Sequence, residues 1–316
     1  MKKVDINNLE LFYDCLDESN NLLYEVFHKP YFELLEMTVK NILAGEVLTD
    51  LDSENVEKLQ GIYDKIAEVD FTVEDVRKAM QSIVLRGFKE MRIPNGNTTP
   101  DTLGIFMAYL ITKLCPNKKI SILDPLCGTG NLLLTISNHL DKELSLFACD
   151  NDLWMTKLTG MLADLLSSPV EIFLQDTFNL NLANMDCVVF DMPHSENDGE
   201  YFPYKAILNY VKMIKEDGCM IGIVENDFFD YDKDKKFKEE LLKEMSIIGL
   251  VELPDQMFQS VKPKIIIVLQ KKIIEAKKCF MVKLPSFTDV KEFNKSLMEI
   301  EAWFENNNYN KRSEEN

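Results

Sequence analysis

The chain has 316 residues, with 35 basic against 53 acidic side chains and a formal charge of −18 at pH 7. Hydrophobic residues make up 46% and charged residues 28%, a globular balance for which disorder is not the default reading. The acidity counts against a free-standing nucleic-acid binder, because phosphate contacts supply most of such affinity.

The start carries an acid at Asp5 and no apolar stretch, so no signal peptide is expected. Residues 1–90 then show helical spacing. Leu9, Phe12 and Leu16 mark one helix; Leu34, Leu35, Thr38 and Ile42 mark a second, entered after Pro30 and closed by Gly45. Ser53 precedes a third set, Val56, Leu59, Tyr63 and Ile66. Thr72 with Asp75 reads as a capping box opening a fourth, Val76, Met80, Ile83 and Val84. This segment holds 10 basic and 19 acidic residues, a net of −9. It reads as a helical N-terminal domain (1–90) for packing or for contact with a protein partner or a second copy.

Residues 91–99 form a polar linker rich in turn residues. Beyond it the texture alternates. Strand-like runs fall at 120–123, 144–149, 170–174, 187–190, 220–224, 247–253 and 265–270, with helical stretches near 131–140, 152–166 and 204–216. Such alternation predicts a doubly wound, mostly parallel α/β sheet over 91–284. No apolar run approaches the roughly 20 residues of a membrane span. The last segment, 285–316, reads as an amphipathic helix (Val290, Phe293, Leu297, Ile300, Trp303) with a polar tail. Seven cysteines, at 15, 115, 127, 149, 187, 219 and 279, include no CxxC pair and no nearby His at ligand spacing. They predict reduced, mostly buried thiols in a cytoplasmic protein and no metal site.

The densest chemical signal is the stretch Asp124-Pro125-Leu126-Cys127-Gly128-Thr129-Gly130-Asn131-Leu132-Leu133, which follows a strand and opens a helix. Such a turn lets a ligand approach backbone N–H groups. Leu133 stands where a dinucleotide fingerprint has its third glycine, and no Lys-Ser/Thr follows, which disfavours NAD or FAD and excludes a P-loop. Asp124 suits a ligand carrying a cationic amine. Asp150 ends the next strand, where an acid commonly accepts from ribose hydroxyls, and Asp176 follows the third.

The order Asn97-Thr98-Thr99-Pro100, Asp124 to Leu133, Asp150, Asp176 and Asp191-Met192-Pro193-His194 resembles the S-adenosylmethionine-dependent N6-adenine DNA methylases. Leu253-Pro254-Asp255-Gln256-Met257-Phe258 and the strand from Lys264 resemble that family's closing hairpin. The likeness spans about residues 90–275 and is greatest to the short, standalone YtxK-like branch. It implies a Rossmann-like class I methyltransferase sheet with an antiparallel C-terminal hairpin strand, and S-adenosyl-L-methionine as cofactor. On that resemblance Asp124 and the backbone of Leu126, Gly128 and Gly130 would hold the methionine portion. Asp150 would bind the ribose with Asn151 beside the adenine, and Asp176 with Thr177 would take the adenine edge. Thr99, read as an N-cap before Pro100, would set a helix N-terminus toward the methionine carboxylate.

The resemblance places catalysis at Asp191, Pro193 and His194. The Asp191 carboxylate and the Met192 carbonyl would accept the protons of a target amino group. Met192 replaces a proline of the family pattern, and His194 stands where an aromatic would stack on a flipped base. Glu196, Asp198 and Glu200 follow at once and would repel phosphate. Seven lysines over 262–283 read either as a phosphate-tracking stripe or, with more weight, as guards of a sheet edge. After the core only about 30 residues remain, and no separate target-recognition region fits. Two readings stand: an N-methyltransferase acting on adenine or another planar amine, and a degenerate cofactor-binding module acting through partners.

Overall fold

The computed structural model describes residues 4–93, 98–195, 200–258, 262–272 and 279–307. Four helices come first: α1 (Ile6–Phe27), α2 (Tyr31–Ala44), α3 (Ser53–Tyr63) and α4 (Val73–Met91). Their ends follow local chemistry. Gly45 closes α2 at φ 70°, and Thr72 with Asp75 forms the reciprocal capping box of α4. At α3 the cap is Asp52, whose carboxylate accepts from the Asn55 N–H, so Ser53 is the first helical residue and not the cap.

Among the described residues, five α-helices and eight strands follow before the last α-helix. They are α5 (Asp101–Leu114), β1 (Lys119–Asp124), α6 (Asn131–Asn138), β2 (Glu143–Asp150), α7 (Leu153–Leu165), β3 (Val170–Leu174), β4 (Met185–Asp191), α8 (Phe202–Val211), β5 (Ile214–Glu225), α9 (Lys236–Leu241), β6 (Ser246–Glu252), β7 (Lys264–Gln270), β8 (Phe280–Lys283) and α10 (Val290–Asn306). The eight strands form one sheet in the order β3-β2-β1-β4-β5-β7-β6-β8. Pairing is parallel from β3 to β5, β7 is antiparallel to both β5 and β6, and β8 adds parallel to β6. The expected helix over 204–216 is cut short at Val211, because Ile214 already belongs to β5. The lysines of 262–272 flank β7, an interior strand, so guarding an edge is not their role there.

One apolar core runs from the helical segment to one face of the sheet, and a second covers the other face. Phe32 of α2 meets Trp154 of α7 at 6.1 Å between ring centroids, and Lys157 pairs with Glu36 at 2.6 Å. α10 packs Trp303 and Phe304 on Phe280 of β8. Six cysteines are buried and Cys279 is half-buried, all as free thiols. No described helix is long and apolar enough to cross a membrane.

Candidate functional site

The chain leaves β1 toward β2 on one side and returns to β4 on the other, a topological switch point beside which α/β sheets bind ligands. A cavity of about 570 Å³ opens there, within the usual range for small-molecule sites. Asp124, Asp150 and Asp191 end β1, β2 and β4, Asp176 follows β3, and all four line it. Thr99, Leu126, Gly128, Asn151, Thr177 and Pro193 line it as well.

Two glycines make the turn after β1. Gly128 and Gly130 have φ of 52° and 76°, a region costly for other residues, and a Cβ on Gly130 would meet Thr159 at 2.9 Å. Gly130 is the N-cap of α6 and lies away from the cavity lining, whereas Gly128 faces it. Asp150 fixes the loop: its Oδ2 accepts from the Gly128 N–H at 2.9 Å and its Oδ1 from the Asp152 N–H at 2.9 Å. Asp176 Oδ1 accepts from the Phe178 N–H at 2.8 Å, and the Thr177 hydroxyl meets the Tyr210 hydroxyl at 2.9 Å inside the core.

Asp124 is 1% exposed and accepts one bond, from the Leu126 N–H at 3.1 Å. Burial pushes its carboxyl up to about 8; Asp150 and Asp191 add like charge, and the Leu126 N–H works the other way. Among the described residues Asp124, Asp150 and Asp176 form no ion pair. A buried acid of this kind, facing a cavity, is set up to meet a cation from a ligand.

Across the cleft the charges are already paired. Lys264 Nζ lies 2.6 Å from Asp191 Oδ1 and 3.4 Å from the Met192 carbonyl oxygen, and the Thr99 hydroxyl donates to Asp191 Oδ2 at 3.0 Å. Thr99 is therefore not a helix cap: Pro100 takes that position on α5, without a side-chain cap bond. His194 is 61% exposed, sets Nδ1 2.5 Å from Glu225 Oε1 and lies outside the cavity lining. Lys262 bonds Glu225, Asp227 and Tyr231. Lys271, Lys272 and Lys283 also pair with acids. Lys277 and Lys278, and Glu196 and Asp198 of the acidic loop, lie outside the described residues.

Several lining residues were not assigned to the site from the sequence, among them Met155, Phe178, Phe202 and Lys264. Another is concealed beneath the site. Arg77 of α4 is fully buried and donates to Glu74 and Asp101, to Asn131 Oδ1 at 3.0 Å and to Thr135 at 2.9 Å. Asn131 Nδ2 in turn donates to the Thr99 carbonyl at 2.7 Å. Burial opposes the Asp101 charge, yet Arg77, Lys78 and Asn131 hold its carboxyl well below the usual range. The helical segment thus ties together the residues before α5 and the glycine turn at α6.

This sheet order, with its antiparallel seventh strand and acids at successive strand ends, defines the methyltransferase fold class. Comparisons with known proteins give the family. The model of the N-6 DNA methylases matches residues 95–316, and that of the YtxK N-terminal helical domain matches 10–88. The chain belongs to the N-6 DNA methylase family and carries the YtxK-type helical domain. It is 32% identical to the uncharacterized protein YtxK of Bacillus subtilis (strain 168), over 92% of this chain and 96% of that one. A crystal structure from Listeria monocytogenes, assigned to the class I S-adenosylmethionine-dependent methyltransferases, superposes at TM-score 0.84 with 28% identity, over 95% of this chain and 100% of that one. The type I restriction-modification methyltransferase subunit of Streptococcus thermophilus shares the fold at TM-score 0.64 and 16% identity, over 95% and 79% of the two chains.

Proposed function

We propose that the chain binds S-adenosyl-L-methionine in the cavity at the ends of β1 to β3 and serves as an N-methyltransferase toward a planar amine. The observation that carries this reading is Asp124, a buried carboxyl with no cationic partner among the described residues, which faces a cavity behind a positive-φ glycine turn. The cofactor's methionine ammonium supplies the missing cation, and Asp150, Asp176 and Asn151 offer acceptors for ribose and adenine. Met155, Phe178 and Phe202 add apolar walls to the same cavity. When bound, the cofactor supplies an electrophilic methyl group on a sulfonium.

The protein's own part is positioning. Asp191 and the Met192 carbonyl accept the protons of an acceptor amine and turn its nitrogen toward the cavity, with Pro193 shaping the turn. His194 is held through Nδ1 by Glu225. The second reading, a cofactor-binding module without turnover, is favoured by one observation: Lys264 already occupies Asp191 and the Met192 carbonyl.

Calorimetric titration with S-adenosylmethionine and S-adenosylhomocysteine tests the cofactor half, and tritiated methyl transfer to adenosine, oligonucleotides and small amines tests the acceptor half. Binding that weakens at least about 100-fold in Asp124→Asn is expected, close to 2.7 kcal/mol. Wild-type protein that binds neither compound refutes the proposal. Binding with no labelled acceptor selects the module reading.

A further inference from the structure

We infer that Lys264 gates the acceptor position: its side-chain ammonium stands where the amino group of a methyl acceptor would have to sit. The inference rests on the function proposed above and deepens it. An acceptor amine needs two proton acceptors, the Asp191 carboxylate and the Met192 carbonyl. Lys264 Nζ lies 2.6 Å from the first and 3.4 Å from the second, so both are engaged by one cation. The other carboxylate oxygen, Asp191 Oδ2, is taken by the Thr99 hydroxyl at 3.0 Å.

The placement is built into the sheet. Lys264 opens β7, whose backbone is paired on both sides, and its register partner on β5 is Glu225. Asp191 pairs in register with Ile223 on the other edge of β5, so the lysine reaches across the end of that strand. The Glu225 carboxylate is already held by His194 and Lys262, which leaves Asp191 as the partner for Lys264. The pair is only partly open to water, at 20% exposure for Lys264 and 16% for Asp191. A charge-assisted hydrogen bond in such a setting is roughly twice as strong as a neutral one. A neutral planar amine such as adenine's donates without a charge and competes poorly for Asp191. An acceptor enters only by displacing Lys264, and this contact sets which amines the site admits.

Adenosine is titrated into the protein saturated with S-adenosylhomocysteine, for wild type, Lys264→Met and Lys264→Gln. The first variant keeps the length of the stem; the second keeps a neutral polar group in case loss of polarity impairs folding. The expected result is adenosine binding at least about tenfold tighter in either folded variant than in wild type. This is a gain that general damage to the fold would not produce. Unchanged adenosine affinity alongside normal S-adenosylhomocysteine binding overturns the gate and leaves the proposed function standing. Absence of S-adenosylhomocysteine binding in wild type and both variants removes the function, and the gate with it. Wild-type protein incubated with S-adenosylmethionine and read by peptide mass spectrometry supplies a further check. Methylated Lys264 would make the residue an acceptor and overturn its role as a gate.

Discussion

The two halves of the cleft differ in how their acids are balanced. On the β1–β3 side, Asp124, Asp150 and Asp176 face the cavity without an ion pair among the described residues, and backbone N–H groups are what hold them. On the β4–β5–β7 side, Asp191, Glu225 and Asp227 each have a lysine or histidine. Isolated buried charge is costly, so Asp124, buried without an ion pair among the described residues, points to a ligand that completes it. Paired acids hold the fold or filter what enters. The first half reads as a site awaiting a cationic cofactor, the second as a site that closes on itself.

The contrast can be broken from below. Arg77→Met would leave Glu74 and Asp101 buried without their guanidinium, and the expected loss is about 3–5 kcal/mol in denaturant unfolding. Cofactor affinity should fall as well, since Asn131 links Arg77 to the Thr99 carbonyl beside the cavity. Stability lost without any change in affinity would show that the helical segment does not position the site.

Asp124 separates function from stability. Its folded carboxyl is raised to about 8, above the value of about 3.9 expected for the unfolded chain. The group therefore favours folding fully below about pH 4, and that contribution is lost as pH rises through about 8. Asp124→Asn should gain Tm relative to wild type as pH rises from 5 to 8.5, while losing the cofactor. A Tm difference independent of pH contradicts the assigned protonation. In the same way, calorimetry at pH 7 in buffers of different ionisation enthalpy should show close to one proton released on cofactor binding, as the neutral acid becomes a carboxylate beside the ligand's ammonium. The smallest effect belongs to the other half: His194→Ala should change cofactor affinity less than about twofold, because the ring is exposed and outside the cavity lining.

What the sequence disclosed and what it hid divide along the same line. The strand-end acids and the glycine turn are legible because strand, turn and helix follow each other within a dozen residues. The antiparallel β7 was legible only through family resemblance. Short β8 and α9 carry too few residues for periodicity to register. The contacts that characterise the acceptor half and the Arg77–Asn131 link beneath the site are long-range: Thr99 to Asp191 spans 92 residues, Lys264 to Asp191 spans 73, and Arg77 to Asn131 spans 54. Thr99 beside a proline looks like a helix start, and a lysine flanking an apolar strand looks like the guard of a sheet edge. In each case the partner is chosen by sheet order, which local spacing does not encode.

The most direct test of the contrast is a crystal structure of the chain grown with S-adenosylhomocysteine. The account predicts the ligand at the ends of β1 to β3, its amino group on Asp124 and its ribose on Asp150, with Lys264 still bonded to Asp191. A ligand bound elsewhere, or one seated against Asp191 with Lys264 driven out, would contradict it.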